Sequence, residues 1–303
     1  MAAGPVAAGP VAAVGREGRI LVDSYWSGTP EFDGSEVSEE WVEVSDGVRL
    51  RVISWIPSTP ITSEVLVFIP GWGSVFEGWR PLLSEWTTRR PILYIETREK
   101  GSSVMEGRIS KADFSVGKLS SDLASVLKFY GIESSEVDWF SSSLGSTILI
   151  DSFSRGFLSG RSSVLLAPNS EFKFPFWARA LIASPMPKIF HPIMKRLAVW
   201  AVERKVKEEG QRIRYRRALL TQDLQKMHLS ARSLMRYSLP DDLSSIKIPC
   251  AVMTASSDKL HGMDRAKSIV NRIPKSKFIE VPSNQYAHEA EVLEEIEAYQ
   301  SLV

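Results

Sequence analysis

The sequence holds one cysteine, Cys250, in 303 residues, so it cannot rest on an internal disulfide framework and fits a reducing compartment. That cysteine stands in Ile248-Pro249-Cys250-Ala251-Val252-Met253, a run that reads as a buried strand, and it is assigned to the core rather than to chemistry. No apolar run approaches the ~18–20 residues of a membrane span. Charge of one sign is also lacking: 37 Lys and Arg face 36 Asp and Glu, a net +1, which gives no global argument for nucleic acid. Histidine is scarce, with only His191, His228, His261 and His288 available for imidazole chemistry. The N-terminus lacks a basic start and repeats Ala-Ala-Gly-Pro-Val at 2–6 and 7–11, a poor signal peptide. Residues 1–18 are expected to form a disordered tail, residues 19–40 an irregular polar segment with Tyr25 and Trp26 as anchors, and the location to be cytoplasmic.

What is present is 44% apolar residues, enough for a large core in one α/β domain or two small ones. Trp41–Val44 and Val48–Trp55 flank Asp46-Gly47, a strong hairpin signal. Residues 64–69 form an unbroken apolar run fit for a central strand, which ends at Pro70-Gly71-Trp72-Gly73-Ser74. A helix is expected around Trp79–Trp86 and a strand over Ile92–Ile95. Leu119, Leu123, Val126, Leu127 and Tyr130 then fall at helical spacing, and Gly131 stops that helix. Strands follow over 137–140, 163–167, 250–254 and 277–281, and a helix over 289–300 closes the chain. An antiparallel start followed by alternating strands and helices predicts a mostly parallel sheet of about eight strands with helices on both faces. In such sheets chemistry gathers at the carboxyl ends of the strands.

At one such end lies Ser141-Ser142-Ser143-Leu144-Gly145, between a short buried strand and a helix with one apolar face. A small–x–Ser–x–Gly turn there is a nucleophile elbow. The turn is so sharp that the positions two before and two after the nucleophile must carry almost no side chain, which selects Ser143. A serine hydroxyl is a weak nucleophile and needs an adjacent base. His191 and His228 fall in a helical insertion, while His261 stands three residues past Asp258, too close to serve it from a separate loop. His288 follows the last strand, where a loop can swing an imidazole over the elbow.

Together these segments resemble the α/β-hydrolase superfamily over roughly residues 41–303. Pro70-Gly71-Trp72-Gly73 resembles its His-Gly-containing oxyanion loop, with proline for the histidine. Glu96–Ser103 resembles Asp-x-Arg-Gly-x-Gly-x-Ser, and Ser141–Ser146 resembles Gly-His-Ser-Leu-Gly-Gly with serines at two glycine positions. Ile248-Pro249 followed by Ser256-Ser257-Asp258 resembles the strand presenting the acid, and Tyr286-Ala287-His288-Glu289 the loop presenting the histidine. The resemblance implies an α/β-hydrolase core over 41–169 and 241–303, a helical cap over 170–240 and no cofactor. It implies a triad of Ser143, Asp258 and His288 in the chain order of that fold, with oxyanion donors at the Trp72 and Leu144 N–H groups. Asp264 is the rival carboxylate, but stands where it would open a helix over 265–272. The other position sometimes used for the acid holds Asn169. Arg98 is read as pinning its loop, and the Trp72 side chain as cavity wall or packing.

The activity expected from the resemblance is hydrolysis of a small-molecule carboxylic ester through an acyl-enzyme, like a carboxylesterase or monoacylglycerol lipase. Thioesterase, carbon–carbon bond hydrolase and aminopeptidase chemistry use the same triad, and a ligand-binding receptor or scaffold is the non-enzyme alternative. From Lys188 to Arg236 thirteen Lys and Arg face four Asp and Glu. This bias is either a solvated helix face or an attraction for anionic substrates or lipid headgroups, with Arg212, Arg214, Arg216 and Arg217 keeping the second reading alive.

Overall fold

The computed structural model describes residues 30–174, 176–184, 187–255 and 263–303, with backbone only at 177 and 188. The strands are β1 (Ser35–Ser45), β2 (Val48–Pro57), β3 (Leu66–Ile69), β4 (Ile92–Ile95), β5 (Val104–Met105), β6 (Asp138–Ser142), β7 (Ser162–Leu166), β8 (Cys250–Ala255) and β9 (Ser276–Val281). They form one sheet in the order β1-β2-β4-β3-β6-β7-β8-β9, with β5 paired to β2. The first two strands are antiparallel to each other, and β2 is antiparallel to β4. From β4 through β9 every pairing is parallel. The Asp46-Gly47 turn closes the first hairpin, with Gly47 at φ 65°.

The parallel strands β3, β4, β6, β7 and β8 are buried along their whole length, because helices cover both faces. Successive side chains of β3 join opposite cores. Val67 and Ile69 pack with Leu119, Leu123 and Leu127 of α2 (Val116–Tyr130) and with Ile148 of α3 (Leu144–Ser154). Leu66 and Phe68 pack with Leu82 and Trp86 of α1 (Arg80–Trp86). Phe68 sits inside an aromatic shell, its ring centroid 4.9 Å from Trp79, 5.2 Å from Tyr94 and 4.8 Å from Phe140. Cys250 is fully buried in β8, and burial pushes its thiol up to about 12, so it behaves as core.

Between β7 and β8 lie α4 (Phe176–Ala183), α5 (His191–Lys205), α6 (Glu209–Thr221) and α7 (Leu224–Leu234), within the expected cap. The chain closes through α8 (Met263–Val270) and α9 (Leu293–Gln300). No described helix is long and apolar enough to cross a membrane.

Two expectations change. The first strand begins at Ser35, inside the segment read as irregular, because an edge strand needs only the β2 ladder and not an apolar face. The final helix begins at Leu293, with two short 3₁₀ turns before it. The expected tail, Tyr25, Trp26, Asp258 and His261 all lie outside the described residues.

The turn from β6 into α3 needs a glycine at 145, since a Cβ there would fall far inside van der Waals contact with the Ile69 carbonyl oxygen. Gly145→Ala is expected to destabilise the protein by about 3 kcal/mol through overpacking against backbone that cannot move aside. Urea denaturation of the variant beside the wild type measures the loss.

Candidate active site

Ser143 sits between the end of β6 and the first turn of α3 at φ 49° and ψ −107°. Only one other non-glycine among the described residues, Ala167, has a positive φ. The Ser143 N–H donates to the Leu166 carbonyl at 2.8 Å, which ties the turn to the neighbouring strand. The serines that stand at two glycine positions satisfy each other: the Ser141 and Ser146 hydroxyls lie 3.0 Å apart, and Ser146 Oγ donates to Leu166 O at 3.1 Å. These two fully buried hydroxyls are thus paired. Asn169, past the end of β7, donates from Nδ2 to Ser143 Oγ at 3.1 Å.

The loop after β3 lies alongside this turn. A Cβ at Gly71 would stand 3.2 Å from Ser143 Cβ, so glycine lets the loop come this close. The Gly71 carbonyl accepts from the Ser74 N–H at 3.0 Å and also from the ammonium of Lys100. Lys100 is fully buried and paired with Glu99 at 2.9 Å. The cap holds the same loop from above. Gln222 donates to Gly73 O at 3.2 Å, Ser230 accepts from the Trp72 indole N–H at 2.8 Å, and Met227 packs on Gly73. Among the described residues neither the Trp72 nor the Leu144 backbone N–H donates a backbone hydrogen bond. The dipole of α3 favours negative charge at Leu144.

His288 occupies the 3₁₀ turn Tyr286–His288 after β9. Its ring stacks on Trp79, with centroids 4.0 Å apart and planes 19° from parallel. Nδ1 lies 2.8 Å from the Asn284 carbonyl. A carbonyl can only accept, so Nδ1 carries the proton and Nε2 is the accepting nitrogen. Burial, and then the Arg214 guanidinium, push the imidazole down to about 3, against the opposing pull of the Asn284 carbonyl. The ring is therefore neutral at pH 7. Arg214, on α6, also holds the loop that carries His288, donating to the side-chain oxygens of Asn284 and Gln285.

Ser143, His288, Trp72 and Asn169 line one cavity of about 400 Å³, a size that suits a small molecule. Its other walls are largely apolar and include Phe172, Phe174, Val202, Leu219 and Met227. The structure thus brings Ser143, His288 and the Trp72 loop together, with Leu144 directly after Ser143. Asp258 lies outside the described residues. Sequence reasoning missed Lys100, Gln222, Arg214, the Trp79 stack and the Asn169 contact. Arg98 pins its loop as expected, bidentate to Asp122 at 2.5 and 2.6 Å and donating to Ser45 at 3.0 Å.

No family model and no curated protein matches the sequence. Solved structures do match in fold. The 2-hydroxy-6-oxo-6-phenylhexa-2,4-dienoate hydrolase of Rhodococcus sp. strain RHA1 is similar with a TM-score of 0.68 at 12% identity, over 89% of this chain and 100% of that one. An esterase from Exiguobacterium antarcticum is similar with a TM-score of 0.64 at 16% identity, over 88% and 97% of the two chains. Potato epoxide hydrolase I gives a TM-score of 0.63 at 14% identity, over 88% and 100%. With its mostly parallel sheet flanked by helices, and with these likenesses, the chain has the α/β-hydrolase fold.

Proposed function

We propose that the chain is a serine hydrolase that cleaves carboxylic esters through an acyl-enzyme on Ser143. One observation carries this reading. A serine held at φ 49° at the head of a helix shares a cavity with a neutral histidine whose Nε2 is the accepting nitrogen. Ser143 Oγ attacks the ester carbonyl while His288 Nε2 takes its proton. The tetrahedral oxyanion is met by the Trp72 and Leu144 N–H groups. The carbon–oxygen bond to the alcohol breaks, and His288 returns the proton to the leaving oxygen. Water then attacks the acyl carbon with His288 as base, releasing the acid and restoring Ser143.

The apolar walls favour an ester with a medium-length acyl chain. The potato enzyme's activity does not carry over, because an epoxide hydrolase of this fold uses a carboxylate nucleophile and position 143 is serine. A binding protein with this fold would lack turnover, and a fluorophosphonate probe separates the two. The wild type is expected to label at Ser143, and Ser143→Ala to lose labelling and at least about 10⁴-fold in kcat on p-nitrophenyl butyrate. A folded wild type that never labels would sink the mechanism.

Asp258 is proposed as the group that orients His288. Among the described residues, Nδ1 meets the Asn284 carbonyl, which can fix the tautomer but cannot stabilise the imidazolium as a carboxylate would. Asp258→Asn is accordingly expected to lower kcat by about 10⁴-fold. An unchanged kcat would assign the orienting role to Asn284 alone.

Lys100 acts through the oxyanion loop. The Gly71 carbonyl and the Trp72 N–H belong to one peptide group, so an ammonium on that oxygen polarises the peptide and strengthens the N–H as a donor. Lys100→Met is expected to lower kcat by about 10–100-fold while KM stays near its wild-type value, with Lys100→Arg recovering part of the loss. A raised KM at constant kcat would instead mean that Lys100 only shapes the cavity.

A further inference from the structure

The outer surface of the cap is apolar in a way the cavity does not use. No residue of α5 is buried. Ile193, Leu197 and Trp200 recur on one face of it and are 55%, 55% and 53% exposed. The turn before this helix adds Ile189 and Phe190, and α4 adds Phe176, which is 88% exposed. Among the described residues, eight of the fifteen exposed large apolar side chains lie between Phe176 and Ile213. Scattered single exposures need no explanation, but this concentration in one stretch of the chain does, and three of the eight, Ile193, Leu197 and Trp200, share one face of α5.

The charge around this face decides what it suits. Residues 176–205 contain six Lys and Arg against the single acid Glu203. Lys195 turns inward to the Leu220 carbonyl at 3.2 Å. Arg196 and Arg204 are exposed beside the apolar stripe, and the Arg204 guanidinium lies 4.5 Å from the centre of the Trp200 ring. An apolar protein partner would not call for the cations, and a nucleic acid would not call for Ile, Leu and Phe. Both features together match a helix lying in the boundary between acyl chains and anionic headgroups.

We propose that the outer face of α5, with the turn before it, docks on an anionic lipid bilayer. Ile189, Phe190, Ile193, Leu197 and Trp200 enter the headgroup–acyl boundary, while Arg196 and Arg204 meet lipid phosphates. Val202 lines the cavity from the same helix, two residues from Trp200 and so on its opposite side. The docked helix is thus a wall of the cavity, and the bilayer lies one helix thickness from it. Docking therefore brings ester-bearing lipids to the outer side of a cavity wall, a source of substrate whose relevance rests on the hydrolase reading; the docking itself does not.

The full chain is sedimented with vesicles of phosphatidylcholine alone and of phosphatidylcholine with phosphatidylglycerol. Binding to the anionic vesicles is expected to be at least about tenfold stronger and to weaken with salt. Leu197→Glu and Trp200→Ala together are expected to lower it by about tenfold or more, with an unchanged circular-dichroism melt and unchanged hydrolysis of p-nitrophenyl butyrate. Equal binding by the variant, or no binding by the wild type, overturns the proposal. So does a wild-type dimer in light scattering that Leu197→Glu splits without any vesicle binding, since the face would then join two copies of the chain. A chain that binds vesicles but hydrolyses nothing sinks the hydrolase reading and leaves the docking intact.

Discussion

The site depends on one backbone residue held where serine does not go unforced. At φ 49° and ψ −107°, Ser143 stores strain of order 1–3 kcal/mol, which persists only if its surroundings over-determine it. They do so from three directions. On the N-terminal side, β6 is locked between β3 and β7. On the C-terminal side, α3 approaches the end of β3 so closely that only Gly145 fits. In the middle, the Ser143 N–H is taken by Leu166. The next strand end bends as well, with Ala167 at φ 48° and its N–H bonded to Met253 O at 2.7 Å. The ends of β6 and β7 thus both turn where Ser143 and Asn169 meet.

Next to the 71–74 loop lies a group of buried charges. Arg51, Glu96, Glu99, Lys100, Arg98 and Asp122 are all nearly or fully buried, and burial raises the carboxyls of Glu96 and Asp122 despite their cationic partners. Buried ion pairs are weak sources of stability, because desolvation offsets most of the attraction. What these charges supply is position. Glu99 holds Lys100, Lys100 holds the Gly71 carbonyl, and Lys226 on α7 donates to Ser103 Oγ at 2.8 Å and to Lys100 O at 3.2 Å. One connected set of polar contacts thus runs from the loop after β4 to the loop after β3 and to α7.

The elbow was legible because its demands are local: a strand, a small residue, a serine, a glycine and a helix within a few positions. The scarcity of histidine singled out His288, which the fold brings to the same cavity as Ser143. Lys100, Gln222 and Arg214 were not, because each acts on a partner 29, 149 or 71 residues away and depends on how the cap settles. Asn169 was legible as the residue ending β7, but not as a donor to Ser143, which needs both strand ends to bend toward each other. The extra length of β1 was hidden because Ser35–Glu40 is polar and gains its order from the ladder with β2.

The basic bias of the cap shows how composition can be right while its first explanation is too simple. Read as a sequence, Arg212, Arg214, Arg216 and Arg217 formed one cationic group in one helix. In the fold they separate. Arg212 stands 3.8 Å from Glu209 and Arg216 3.5 Å from Glu203, surface pairs worth little to stability. Arg214 lines the cavity and grips the histidine loop through two amide oxygens, with its charge beside His288. Lys226 and Lys195 spend their ammonium groups on backbone carbonyls. The excess positive charge therefore serves three separate ends: clamping the cap to the two loops that flank Ser143, pairing within the cap, and facing outward around Trp200. The first of these reaches both the 71–74 loop and the loop that carries His288, so the helices between β7 and β8 are tied by hydrogen bonds to both sides of Ser143, and α5, whose outer face is apolar, belongs to that same body.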